Sequence, residues 1–191
     1  MPSVVDPGNA IRLGTVVVDA HDRSVLLTGH VNQVEGAIEL FACGPRGKTH
    51  ESVLVLDVYP VDLQTGLLLI GARHGKPAEG MGMRPPDGDP LDVFVEWQDG
   101  GKTVRRRAEA MIRNSKTKRV LPKTAWIFTG STFEDGRFKA LVEESLIVSY
   151  WDPWAIINIG SDVGADDEIL SVNTRNVPPL GTPVTVLIKR R

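Results

Sequence analysis

Short apolar and β-branched runs recur along the whole of this chain, and one stretch carries the clearest helical period, with a second, short helix expected over Ala108–Asn114. Val16-Val17-Val18, Val25-Leu26-Leu27, Val53-Leu54-Val55-Leu56 and Val184-Thr185-Val186-Leu187-Ile188 are bounded by clusters of Gly, Pro, Asn or Asp. Side chains of this kind suit a pleated, half-buried surface, and runs bounded this way read as strands. The segments at 36–43, 91–97, 103–108, 125–129, 146–150, 154–159 and 169–172 read the same way. Ile11 to Asp19 and Ser24 to Val31 flank the turn Ala20-His21-Asp22-Arg23 and form a predicted hairpin.

The exception runs from Pro60 to Ala72. Pro suits the first helical position, and Asp62 places a negative charge in the first turn. Leu63, Leu67 and Ile70 make one stripe, Leu68 and Leu69 widen it, and Gly71 offers a C-terminal stop. A helix so apolar is expected to lie across a sheet as the central core element. The expected fold class is therefore α+β: mainly antiparallel β with one principal helix (about 60–72) packed on the sheet. Residues 1–10 read as a flexible leader without the basic and apolar regions of a secretory signal. Residues 11–191 read as one domain, a size within the usual range.

Lys plus Arg is 22 and Asp plus Glu is 24, a net charge of −2, which argues against nucleic acid as a partner. The local run Lys102-Thr103-Val104-Arg105-Arg106-Arg107 reads as a solvated hairpin face, or as a patch that steers an anionic partner. One cysteine, Cys43, makes no internal disulfide and holds no iron–sulfur cluster. It reads as a small buried hydrophobe. No stretch approaches the roughly 20 apolar residues of a membrane-spanning helix.

Two stretches draw attention as sites. The first is Gly44-Pro45-Arg46-Gly47-Lys48-Thr49-His50-Glu51-Ser52, a turn that ends in charge and enters a buried strand. Its Gly-Lys-Thr end invites comparison with a phosphate loop. However, the first Gly stands too close, Pro45 lacks an amide, and a strand follows where a phosphate loop opens a helix. His50 with Glu51 is the sharpest acid–base candidate, with Asp57 as a possible third member and Lys48 as a binding residue. Alternation along a strand sends adjacent side chains to opposite faces, which favours a structural role for His50 and Glu51. The second stretch is Tyr150-Trp151-Asp152-Pro153-Trp154, whose Trp151 and Trp154 read as core anchors or as a binding surface. His21, His30 and His74 are scattered, and no spacing marks a metal site. The acidic loops Asp87–Asp92 and Gly160–Glu168 read as solvated carboxylates. The Gly/Pro-rich loop from His74 to Pro90 reads as contact surface.

Several segments together resemble one bacterial family. They are Gly29-His30-Val31-Asn32, the run Gly36 to Cys43 with its spacing to Lys48–Ser52, and the helix end Gly66–Ala72. Trp97 with its Asp-Gly turn, Trp126–Ser131 and Pro178–Thr185 complete the ordered set. In that order, from about Ile11 to Lys189, they resemble the YdjY-domain proteins. The resemblance brings no established activity. It implies export, since many relatives carry signal or lipoprotein leaders, and it implies a helix position, Gln64 here, where relatives often have His. Some relatives are described as ferredoxin-like, an idea the single cysteine undercuts.

The leading expectation is a non-enzymatic domain, exported by resemblance, that binds a protein partner or assembles as a subunit, with no cofactor and no metal. Two alternatives stand beside it: a metal-dependent or acid–base enzyme built on His50 and Glu51, and an accessory subunit of an exported redox complex.

Overall fold

A computed structural model describes residues 10–191. The leader expected at 1–10 falls outside the described residues, save that Ala10 already belongs to the first strand. In chain order the elements begin with β1 (Ala10–Leu13), β2 (Val16–Asp19), β3 (Ser24–Val31), β4 (Leu40–Cys43), β5 (Ser52–Leu56) and helix α1 (Pro60–Leu69). Then come β6 (Pro90–Asp99), β7 (Lys102–Arg107), β8 (Ile112–Asn114), β9 (Trp126–Phe128), β10 (Phe133–Glu134) and β11 (Arg137–Phe138). The chain ends with α2 (Lys139–Glu143), β12 (Ser145–Val148), β13 (Ile157–Ile159), β14 (Leu170–Val172) and β15 (Pro183–Arg190).

Eight of these strands close on themselves in the order β3-β15-β6-β9-β13-β12-β4-β5, with β5 returning to β3. The expectation of a sheet carrying a principal helix is thereby overturned: the fold is a closed barrel, mostly β. The physical reason is the closure itself. A closed barrel hides most of its apolar face inside, leaving the short helix only the β2–β3 part of the structure to cover. Closure depends on β3 dividing one edge between two partners. Val17–Asp19 of β2 pair with Ser24–Leu26, and Leu54–Leu56 of β5 pair with Gly29–Val31. Gly29 stands at the junction, where a Cβ would collide with the Val55 carbonyl. β6 divides an edge in the same way, between β9 at Pro90–Leu91 and β7 at Phe94–Asp99.

Side chains fill the barrel. Val25, Leu27, Leu54, Leu56, Val93, Val95, Trp126, Phe128, Ile157, Val184 and Val186 belong to one buried cluster, in which the Phe41 and Trp126 rings meet at 5.5 Å. The helix is a short wall element. Leu63, Gly66 and Leu67 are buried, and Gly66 lies against Val16, Val18 and Val25, while Val61, Leu68 and Leu69 face solvent. Gly71 ends it as expected. With φ +78° it lets Ala72 N–H reach Leu67 O and its own N–H reach Leu68 O, closing the last turn.

Two of the eight barrel seams are parallel, β4–β5 and β12–β13. Each pair is joined by eight residues, 44–51 and 149–156. Parallel neighbours ordinarily need a longer crossover. These strands are only three to five residues long, so a short connection suffices. β12 runs antiparallel to β4 between the two pairs, which relates the two crossovers by an approximate two-fold. Both stretches singled out in the sequence are thus crossovers on the barrel wall.

Candidate functional site

The first crossover is folded onto its neighbours by its own charges. Gly44 N–H donates to Glu144 O at 2.9 Å. Arg46 N–H and Nε donate to the two carboxylate oxygens of Glu144, at 2.8 and 2.7 Å. A Cβ on Gly44 would occupy the space of that carboxylate. Farther on, the parallel register of Leu40 with Ser52 sets the residues just before the two strands, Glu39 and Glu51, side by side. Lys48 Nζ bridges them, 3.1 Å from Glu39 and 3.0 Å from Glu51. Burial pushes the Glu39 carboxyl up despite Lys48. Burial draws the Lys48 ammonium down, but its two carboxylates outweigh that and hold it above the ordinary lysine range. Asn32 Nδ2 ties the turn to β3 by donating to Thr49 O and Ser52 O, at 2.6 and 2.9 Å.

His50 stands on this turn with its side chain 79% exposed, and its Nε2 is 3.8 Å from Glu51 Oε2. Asp57 lies just past the opposite end of β5, so the three do not converge. Among the described residues no group of His, Cys, Asp and Glu is placed to hold a metal ion. Beneath the crossover, Leu40, Cys43, Val55, Val148 and Ala155 form a second, small core on the barrel's outer side. Cys43 is fully buried there, and burial pushes its thiol up, away from the nucleophilic thiolate.

The second crossover is closed by aromatic packing and a buried carboxyl. Trp151, read from the sequence as a binding residue, is only 4% exposed, and its Nε1–H donates to Ile159 O at 2.9 Å. Gly164 and Gly82 roof this segment: Trp151 N–H reaches Gly164 O, and Gly82 N–H reaches Trp151 O. The indole offers no contact surface, because Gly164 lies directly on it. Asp152 is buried. Its Oδ1 accepts Trp154 N–H at 2.8 Å, and its backbone exchanges bonds with the Asn158 amide. Asn158 Nδ2 also donates to Thr129 Oγ1. Burial raises the Asp152 carboxyl above the ordinary range, and Ser145 Oγ beside it lacks hydrogen-bonding geometry. Trp154 is half-buried. Its Nε1–H donates to Glu134 at 2.9 Å, and Lys139 Nζ sits 4.6 Å from its ring centroid.

The remaining sequence candidates resolve into structure. The loop from His74 is pinned to β9, with Gly75 N–H on Phe128 O and the His74 ring edge-on to Phe128 at 5.9 Å. Asp89 and Asp92 of the acidic loop are arginine partners, Asp89 to Arg190 and Asp92 to Arg107 and Arg191. Arg105 pairs with the buried Glu96, and Arg107 also reaches Glu109, so much of the basic run is neutralised.

Arg106 is not. β7 leaves the barrel at the rim, and the cleft this opens is a groove of about 550 Å³. Its walls are Trp97, Val104 and Arg106 on one side and Arg175, Pro178 and Pro179 on the other. Arg106 bonds only weakly, through Nη1 to Arg105 O at 3.3 Å, and neither Arg106 nor Arg175 has a carboxylate partner among the described residues. A second groove, of about 420 Å³, lies on the other face and shares Trp97 and Gln98.

The YdjY domain model matches residues 16–189. The chain belongs to the YdjY-domain family. The match begins at the first residue of β2 and ends within β15, so it contains the barrel strands but for the last residue of β15. No curated protein and no solved structure matches this YdjY domain. Its Gln64, where the resemblance implies His in relatives, donates to Gly130 O at 3.2 Å and leaves Oε1 buried without a partner.

In this YdjY domain the Trp97 groove is the feature that sequence reasoning did not assemble. Trp97, the basic run and Pro178-Pro179 were each visible. The signal that joins them is alternation: Val104 and Arg106 share a face, and the hairpin register sets Val104 opposite Trp97. That the 175–179 loop lies across from them is a tertiary fact.

Proposed function

We propose that this YdjY domain is a non-enzymatic binding or assembly domain whose recognition surface is the groove along Trp97. The observation that carries the reading is the pair of guanidinium groups, Arg106 and Arg175, that have no carboxylate partner among the described residues and stand beside a part-exposed indole. Trp and Arg are the residues that most often anchor interfaces. In the two crossovers, by contrast, Lys48 is ion-paired with both Glu39 and Glu51, and Trp154 has both its N–H and its ring face engaged within the chain. His50 has one carboxylate neighbour at 3.8 Å and an exposed ring, which is why we assign no reaction to it.

The test uses a Trp154→Phe variant, in which Trp97 is the only indole that is not buried. Its emission is followed against the protein's own concentration and against acidic, neutral and basic peptide mixtures. Saturable change with any of them, lost in Trp97→Phe, supports the reading. Silence with all of them, together with a single monomeric species in sedimentation, overturns it.

A further inference from the structure

We infer that the free edge of β7 takes an extended, acidic segment of a partner polypeptide by strand addition, with its side chains entering the Trp97 groove. This rests on the binding reading above and names its partner. β7 pairs only with β6, so among the described residues its other edge carries no ladder. A strand edge presents a row of unpaired N–H and C=O groups, a template for an added strand. Folded proteins commonly blunt such an edge with charge. Here the blunting is of one sign: Lys102, Arg105, Arg106 and Arg107 all lie on β7. Like charge on an incoming strand is repelled, while alternating acidic residues meet opposite charge across the ladder.

The two faces of the edge differ. On one face Arg105 and Arg107 are engaged by Glu96, Asp92 and Glu109. On the other, Arg106 and its neighbour across the groove, Arg175, have no carboxylate partner among the described residues. Carboxylates on alternate positions of an added strand therefore reach Arg106 on the groove side, where guanidinium–carboxylate pairing is strongest when bidentate. Val104, Trp97 and the Pro178-Pro179 wall supply apolar contact between them.

The probe is a short capped peptide of alternating glutamate and threonine, titrated against the Trp154→Phe protein with Trp97 emission as readout. Saturable binding is expected. It should weaken at least about tenfold in the Arg106→Gln/Arg175→Gln protein, the size expected for loss of charged contacts, and weaken with added salt. N-methylation of alternate peptide amides should abolish it in one register and spare it in the other. If neither N-methylated register loses affinity, strand addition is overturned. If a lysine–threonine peptide or a short oligothymidylate binds as well or better, the acidic polypeptide is overturned. If only neutral or basic peptides move Trp97, the groove still recognises a partner and this inference alone falls. Silence with every peptide removes both. Arg106 and Arg175 are exposed, so unchanged circular dichroism of the double variant separates lost binding from lost folding.

Discussion

Residues 44–51 and 149–156 occupy equivalent places: each crosses the barrel wall between two parallel strands, the second giving Ala155 to the small outer core and the first laying Gly47 against its Cys43. Their electrostatics are opposite. The first is closed by a cation between two carboxylates and by a carboxylate that accepts backbone and guanidinium N–H groups. The second is closed by an indole and by a carboxyl buried without a cation. In the first crossover the two carboxylates favour the charged form of Lys48, although burial still raises Glu39, whereas in the second nothing comparable offsets the burial of Asp152, which burdens the fold when ionised. The same backbone route is thus compatible with either device.

The comparison can be broken most forcefully at Trp151. Trp151→Ala removes a buried indole and strands the Ile159 carbonyl, and a loss of about 4 kcal/mol in denaturant unfolding is expected. A loss below about 1 kcal/mol would mean that packing does not hold the second crossover. Gly44→Ala tests the first. The new methyl meets the Glu144 side chain, and about 2 kcal/mol should be lost, since small-to-large changes in packed sites cost that order.

Next come the two substitutions of opposite sign. Lys48→Met leaves Glu39 and Glu51 adjacent without a cation and should lower stability at neutral pH by about 1 kcal/mol after solvent screening. The loss should shrink as the solution is acidified and the carboxylates protonate. Asp152→Asn should do the reverse. The folded state holds the Asp152 proton more tightly than the unfolded chain does, whose Asp value is about 3.9. In the native protein the stability cost of ionising Asp152 is therefore absent below the unfolded value. It grows as pH rises above the unfolded value and is full once pH exceeds the raised folded value. Asn keeps an oxygen for Trp154 N–H and should raise the neutral-pH melting temperature while flattening its pH dependence. A lower melting temperature at neutral pH for this variant would sink the reading of Asp152 as an unpaired burden.

The smallest effect on stability is expected outside both crossovers. Arg106→Gln/Arg175→Gln should change the unfolding free energy by no more than about 0.5 kcal/mol, as exposed substitutions do. If the pair instead proves structural, the distinction between self-satisfied crossovers and an unsatisfied groove fails. Comparing Trp97→Ala with Trp154→Ala sharpens it further, since association should respond to the first and not the second.

Much of the secondary structure was legible. Alternation along Leu91–Trp97 is realised in β6, with Leu91, Val93 and Val95 fully buried. Gly71 ends the helix where its conformational freedom predicts. The core role of Cys43 followed from residue type alone. The candidate site was legible only in pieces. His50 was visible as a titratable group, but its exposure was not, because exposure depends on what the crossover docks against. Trp151 and Trp154 looked alike in sequence and differ in the structure because Gly164, 13 positions away from Trp151, lies directly on the indole of only one of them.

The sequence by itself determined that most of the regular structure is strand, roughly where the longer strands lie, that a helix opens at Pro60, and that one cysteine and a near-neutral charge bound the chemistry. These follow from side-chain type and short-range periodicity, which act over a few residues. The tertiary structure alone decided that β3 closes onto β5, that two strand pairs run parallel, and that Arg105 and Arg107 are neutralised while Arg106 is left facing a groove. Those outcomes rest on pairings between residues far apart in the chain, such as Ser24 with Lys189, and no local pattern encodes which distant strand supplies a partner.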